Sequence, residues 1–366
     1  MTDAVIGEWR ARIAAAAAAK TPVRIRGGGT KDFYGQAVAG EVLDTRAWAG
    51  IVDYDPTELV MTARAGTPLD DIEAATRAAG QMVAFEPPRF DAREPSAATL
   101  GGCVAAGLSG PRRPYGGAVR DLVLGVRILD GRGEDLTFGG RVMKNVAGFD
   151  VARLMTGSLG TLGVLLEVSF KCLPAPKTEA TRVFECSADE AIRRVNEWGA
   201  RPLPVSATCF HRGLLSVRLS GAPSAVAAAG TRIGGDALLD PDAGASFWRG
   251  VRDQTHPHFA AAAAAGAPLW RLAVKSTAPH AEPLGEQLIE WGGGLRWVIG
   301  SDKSDAARLR AWAAQHGGHA TLFRATDKAA GAFHPLSDAV AGLHRRLKAQ
   351  FDPAGILNPG RLYADL

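Results

Sequence analysis

TPVRIRGGGTKDFYG, Thr21 to Gly35, runs from a short extended segment straight into three consecutive glycines, then Thr30 and Lys31. Glycines let backbone N–H groups converge without side-chain obstruction, and such a nest binds phosphate. Taken alone, the stretch equally describes a bare tight turn after an edge strand. The sequence around it separates the two readings. SAATLGGCVAAGLSGPRRPYGGAVRD (Ser96 to Asp121) has six glycines, and MTGSLGTLGVLLEVSF (Met155 to Phe170) has Gly157, Gly160 and Gly163. Three separated glycine loops, each beside a strand or a helix start, are what close backbone approach to an extended ligand requires. Two familiar phosphate motifs do not fit. Lys31 follows Thr30 where Walker A needs the reverse order, and a G-x-G-x-x-G from Gly27 would need glycine where Asp32 stands. A diphosphate dinucleotide laid along several loops remains, neutralised by backbone N–H groups with Arg26, Lys31, Arg112 or Arg113 nearby.

Length and composition set the frame. A chain of 366 residues, 46% hydrophobic and 22% charged, is globular and long enough for two domains. The formal net charge is only +4, and HRRLK (His344 to Lys348) reads as the solvated face of a helix. No basic stripe with interleaved aromatics is visible, so no nucleic-acid partner is expected. The four cysteines (Cys103, Cys172, Cys186, Cys209) contain no C-x-x-C. They exclude an iron–sulfur or zinc framework within this chain and read as buried thiols of a reducing cytosol. The charged N-terminus is unlike a signal peptide, and no apolar run approaches the ~20 residues that cross a bilayer. The expected location is cytoplasmic, with any attachment to the inner membrane made through partners.

The elements follow from period and punctuation. Asp3 to Lys20 is an alanine-rich helix, and Val23 to Arg26 and Leu59 to Arg64 are strands. A helix follows with Thr67 as N-cap, Pro68 in the first turn and Gly80 as its stop. Leu122–Leu129 and Glu134–Phe138 flank DGRG as a hairpin, and Gly163 to Leu173 is a further strand before PAPK. Beyond it, Ser187 with Glu190 forms a capping box, and two strands surround His211–Gly213. Strands and helices interleaved in this way suggest an antiparallel sheet with helices on one face. His334 to Gln350 is an amphipathic helix, and Asn358-Pro359-Gly360 turns the tail back.

VRIRGGGTK, TLGGCVAAGLSGPRRPYGGAVRDLVLG and VMKNVAGFDVARLMTGSLGTLGVLLEVSFKCLP together resemble the FAD-binding domain of the vanillyl-alcohol oxidase flavoprotein superfamily. FDPAGILNPGRLY is similar to the closing segment of its D-2-hydroxyacid dehydrogenase branch. Within that branch, IVDYDPTELVMTARAGTPL, GQMVAFEPP, GEQLIEWGGGLRWV and GGHATLFRA resemble the E subunits of bacterial glycolate oxidase, also called glycolate dehydrogenase.

The resemblance implies an α+β fold. A two-subdomain FAD-binding domain (1–177) is followed by an α+β, ferredoxin-like cap (178–330), and a C-terminal segment (331–366) returns to the FAD domain. It implies non-covalent FAD, since no histidine precedes His211. By motif position, Arg26, Gly27, Gly28, Gly29, Thr30 and Lys31 would hold the pyrophosphate. Thr99, Leu100, Gly101 and Gly102 would form the second loop, and Ser158, Gly160, Thr161, Gly163 and Val164 the third. Asp121 and Asn358 are further cofactor candidates.

The activity implied is oxidation of a 2-hydroxy acid, glycolate to glyoxylate. Electrons would leave through a homologous catalytic flavoprotein subunit and an iron–sulfur subunit. Such chemistry needs a hydride acceptor, a group to take the hydroxyl proton and a cation for the carboxylate. The carboxylate candidates are Arg112, Arg324 and Arg361; the histidines that could serve as base or metal ligand are His256, His258, His316, His319 and His334, of which His319 and His334 are the base candidates. The two glycines between His316 and His319 disfavour a helix presenting both, so no metal is expected there. The alternative is a self-sufficient FAD-dependent dehydrogenase for glycolate or D-lactate.

Overall fold

A computed structural model describes residues 2–91, 95–140, 149–281, 284–301 and 305–366. The VMKNVAG part of the third motif lies outside them. The chain divides into two compact units, one of residues 1–108, 118–174 and 335–366, the other of residues 109–117 and 175–334.

The first unit opens on the helix Thr2–Ala19, whose Ile6, Trp9, Ile13 and Ala16 fall on one face and are buried. Strand β1 (Val23–Arg26) pairs in parallel with β2 (Glu41–Asp44). The main sheet takes β3 (Ile51–Asp55), β4 (Val60–Arg64), β6 (Val123–Leu129), β7 (Asp135–Gly139) and β8 (Val164–Lys171), in the order β3-β4-β8-β6-β7. Every pair in it is antiparallel. The two-residue strands β5 (Gln81–Met82) and β9 (Leu173–Pro174) pair beside it. β8 carries Leu166, Val168 and Phe170 fully buried, as a central strand should. Met61, Phe85, Leu100, Val104, Val126 and Phe170 share one core, and the N-terminal helix packs with Leu43, Val164, Ile356 and Leu357 in another.

The second unit holds an eight-stranded sheet built from β10 (Thr178–Glu185), β11 (Val205–His211), β12 (Leu214–Gly221), β13 (Ala237–Leu238), β14 (Leu269–Ala273), β15 (Gln287–Glu290), β16 (Leu295–Ile299) and β17 (His319–Arg324). Its order is β13-β10-β12-β11-β15-β16-β14-β17, and all its pairs are antiparallel. Each end has its own core, one around Phe184, Val217 and Leu219, the other around Trp270, Leu272 and Leu309.

Several local expectations need correcting. Thr67 does not cap the helix Leu69–Ala78: Pro68 takes that place, and the Thr67 hydroxyl donates to Arg64 O at 2.7 Å and accepts from Gly50 N at 2.9 Å. The helix Ala188–Gly199 has Ser187 as its cap, but Glu190 accepts from Arg193 and Arg194 and does not turn back to the cap residue. The C-terminal helix runs Asp338–Phe351, beginning four residues later than its periodicity suggested.

Candidate functional site

β1 delivers Arg26 to the glycine turn, and the turn lines a groove open to solvent. Its walls come from all three glycine loops and the C-terminal tail. They include Arg26 to Lys31, Thr99 and Gly102, Leu159, and Asn358 with Arg361. The backbones are as close as the glycines suggested. A Cβ on Gly28 would sit 1.5 Å from Ala97 O, and one on Gly27 would sit 2.5 Å from Thr99 Oγ1. Gly29 has φ +74°, and the Arg26 guanidinium lies over it where a side chain would otherwise be.

The groove is electropositive. Arg24, Arg26, Lys31 and Arg361 line it against one carboxylate, Asp32. A single Asp32 oxygen, Oδ2, accepts from Arg24 Nη2 at 2.9 Å and from Arg26 Nε at 2.7 Å. Arg361 donates through Nη2 to the carbonyls of Lys31 and Asp32, and burial lowers its pKa. Among the described residues, no intramolecular acceptor meets the N–H groups of Gly28, Gly29 and Thr30. Orphaned turn amides beside several cations are the donor set a diphosphate takes. These residues fit the pyrophosphate of a dinucleotide.

The second and third loops brace this groove more than they line it. Thr99 caps the helix Leu100–Ala106 by accepting from Gly102 N at 3.2 Å. Leu100 and Gly101 lie behind, their amides donating to Thr67 O and Ala65 O. Gly107 and Gly157 meet backbone to backbone, and Leu159 N donates to Ala105 O at 2.9 Å. Ser158 O accepts from both the amide and the hydroxyl of Thr161. A Cβ on Gly160 would meet Asn358 Nδ2 at 2.7 Å, and one on Gly163 would meet Leu129 O at 2.9 Å, just before Val164 opens β8. Asn358 is the tie: its Oδ1 accepts from Ile25 N at 2.8 Å and its Nδ2 donates to Leu159 O at 2.7 Å. Asp121 is a local cap, accepting from Ala118 N at 3.0 Å. Arg24, Ile25, Asp32, Ala105, Ala106 and Leu159 also line the groove and were not picked out from the sequence. The alternation of β1 flags Arg24 together with Arg26, but nothing local marks Leu159 or the two alanines.

The substrate candidates divide between the units. Arg361 belongs to the groove, whereas Arg112 and Arg324 belong to the second unit. Arg112 is buried and hydrogen-bonded to Glu179. Arg324 donates to Gln254 Oε1 at 3.0 Å, and burial lowers its pKa to about 10. His319 opens β17 with its side chain exposed at the surface, and desolvation by its neighbours, then the charges of Arg271, His334 and Arg113, lower its pKa. His334 accepts from Ala320 N at 3.3 Å, and burial and then Arg310 lower its pKa. Both rings are therefore biased toward the neutral form that accepts a proton. Arg113 and Arg271 each lie over Trp291, at 4.5 and 5.0 Å from its ring centroid.

A family model described as an FAD binding domain matches residues 6–139, the stretch that holds the first two glycine loops. Glycolate oxidase subunit GlcE of Escherichia coli (strain K12) is 47% identical over 347 residues, covering 95% of this chain and 94% of that protein. The chain belongs to the family of glycolate oxidase E subunits. Glycolate oxidase subunit GlcD of Bacillus subtilis (strain 168) is a more distant relative of this E-family chain, 32% identical over 44% of this chain and 34% of that protein. A solved structure of alkyldihydroxyacetonephosphate synthase is 15% identical with a TM-score of 0.64, covering 96% of this chain and 74% of that one, and speaks for the fold alone. This E-family member is an FAD-binding oxidoreductase of the two-subdomain flavoprotein fold with an α+β cap. No helix among the described residues is long and apolar enough to cross a membrane.

Proposed function

We propose that this chain is the FAD-binding subunit of a glycolate oxidase complex that oxidises glycolate to glyoxylate and hands electrons to partner subunits. The likeness to a glycolate oxidase E subunit along 95% of the chain carries the reading. Bound in the groove, FAD would supply a hydride acceptor for the carbon that bears the hydroxyl. The protein's part is to hold it. The amides of Gly28, Gly29 and Thr30 would hold the pyrophosphate and Arg26 and Lys31 would balance its charge, while Asn358 fixes the spacing between β1 and the third loop. Cys103 is buried, and burial pushes its thiol pKa up to about 11, which supports FAD held without a covalent link.

Four dispersed cysteines cannot ligate a cluster within this chain, which supports electron exit through an iron–sulfur partner beside a catalytic flavoprotein subunit. Any attachment to a membrane would then run through those partners. One observation favours a second reading, in which the chain oxidises a 2-hydroxy acid by itself. Arg113 and Arg271 around Trp291 suit a carboxylate, and His319, biased neutral beside them, suits the hydroxyl proton.

An anaerobic visible spectrum of the FAD-loaded chain with glycolate separates the two. The proposal expects the flavin band to stay unchanged until the partner subunits are added. Bleaching by glycolate alone would replace it with the second reading. A lost response in His319→Gln would then assign the base.

A further inference from the structure

The second unit contains a cluster that the flavin chemistry does not use. His211 closes β11, His258 stands in the first turn of the helix Pro257–Ala264, and Glu286 immediately precedes β15. Three segments distant in sequence thus bring two imidazoles and a carboxylate together, with one ligand atom from each inside a 4.8 Å span. Glu286 Oε1 faces both rings, at 2.7 Å from His211 Nε2 and 3.5 Å from His258 Nδ1. Its other oxygen is anchored, accepting from Arg212 Nε at 3.1 Å and Nη2 at 2.9 Å. The carboxylate is therefore oriented from behind, as the outer partners of metal ligands commonly arrange.

His258 is the anomaly. Its side chain has no exposed surface, yet neither ring nitrogen completes a well-aligned hydrogen bond: Glu286 Oε1 stands 3.5 Å from Nδ1, and the Trp297 backbone is also near. A buried neutral imidazole carries one donor and one acceptor, and leaving both unmet costs the full desolvation of the pair. Proteins seldom leave such a group unexplained. Protonation does not resolve it: burial, followed by the charge of His211, lowers its pKa to about 4, and Glu286 and the Trp297 backbone oppose this only in part. The ring is thus neutral at pH 7, which is the form that ligates metal.

We propose that His258 Nδ1, His211 Nε2 and Glu286 Oε1 form a binding site for a divalent transition-metal ion of the zinc class. Two imidazoles and one carboxylate are the donor set of open zinc sites, with a solvent molecule in the fourth position. Glu286, 39% exposed, leaves that position open to water. Bonds of about 2.0–2.1 Å in a tetrahedron place ligand atoms about 3.4 Å apart. The His258–Glu286 separation of 3.5 Å already matches, and the His211–Glu286 hydrogen bond opens by less than 1 Å when metal replaces its proton. Nitrogen-rich donors of this kind select zinc, cobalt, nickel or copper over calcium and magnesium. The site shares no ligand with His316, His319 or His334, so it stands whether or not the chain oxidises glycolate itself.

The test uses the untagged, full-length, chelator-stripped protein titrated with cobalt(II) chloride and then zinc(II) chloride. The expected result is one equivalent of cobalt with the intense visible bands of a tetrahedral site, displaced by one equivalent of zinc. Glu286→Gln and His211→Asn should each weaken zinc binding by more than the roughly 10–100-fold typical of losing an outer partner. His344→Ala should bind as the parent does. Glu286 is half out in solvent, so its variant reports on the site even if His258→Ala fails to fold. Zinc should also raise the thermal midpoint of the parent and leave that of Glu286→Gln in place. No cobalt uptake by the parent, or uptake unchanged in both Glu286→Gln and His211→Asn, would overturn the proposal.

Discussion

A single methyl group tests the groove. A Cβ on Gly28 would stand 1.5 Å from Ala97 O, and that atom is backbone with nowhere to retreat. Gly28→Ala should therefore lose stoichiometric FAD, read as the ratio of flavin to protein absorbance after gel filtration. Full occupancy in the variant would remove this turn from the cofactor site. Gly7 supplies the contrast, because it lies exposed in the N-terminal helix and a Cβ there would meet no atom within 4 Å. Gly7→Ala should raise stability by about 0.5–1 kcal/mol, from helix propensity alone, and leave FAD content as it was. Cys103, fully buried with its thiol pKa pushed up to about 11, gives a third expectation. Acid precipitation should leave a colourless pellet and a yellow supernatant, whereas a yellow pellet would mean a covalent link.

The C-terminal helix is secured by an i,i+4 ion pair whose burial no local pattern announces. Lys348 Nζ donates to Thr161 O, Asp352 Oδ2 and Leu357 O at 2.7–2.8 Å, and all of it is buried. Asp352 in turn accepts from the amides of Ile356 and Leu357, which shapes the chain just before Asn358. Removing one partner of a buried pair strands the other charge. Lys348→Met should cost about 3–5 kcal/mol in urea unfolding and reduce FAD affinity, since Asn358 loses its fixed place. A variant as stable as the parent would show that the pair adds nothing. What was legible from sequence divides along the same line. The helix Ala188–Gly199 and the hairpin at Arg212–Gly213 were readable because their determinants lie within a few residues. The glycine loops were readable as a set, and they do converge. Whether each glycine faces the groove or a neighbouring backbone was not, because Gly101 against Ala65 and Gly107 against Gly157 are packed by residues far away in the chain. HRRLK illustrates the limit: read as a solvated face, it contains Lys348, which is the buried charge.

The histidine cluster also makes the whole chain sensitive to mild acid. His258 is ordinarily half-protonated near pH 6.5, but burial, then the charge of His211, brings it to about 4 in the folded protein. Well above pH 6.5 the folded and unfolded chains both hold it neutral, and it contributes no pH dependence. Between pH 6.5 and 4 the unfolded chain binds a proton that the folded chain refuses, so stability falls as pH falls. The loss is complete below about pH 4 and amounts to about 3 kcal/mol for this ring. His256, half-buried and lowered to about 4 by burial and by its two histidine neighbours, acts in the same direction. Glu286 does not reverse the trend. Burial opposes its charge, but Arg212 and His211 hold its carboxyl at about 2, so its own loss comes only at more acidic pH. Urea midpoints measured in chelator should therefore drop steadily from pH 7 to pH 4.5. His258→Gln, which cannot titrate, should flatten that slope. An unchanged slope would mean that the ring takes up its proton in the folded state without penalty, and that the polar environment of His258 is already satisfied in some other way.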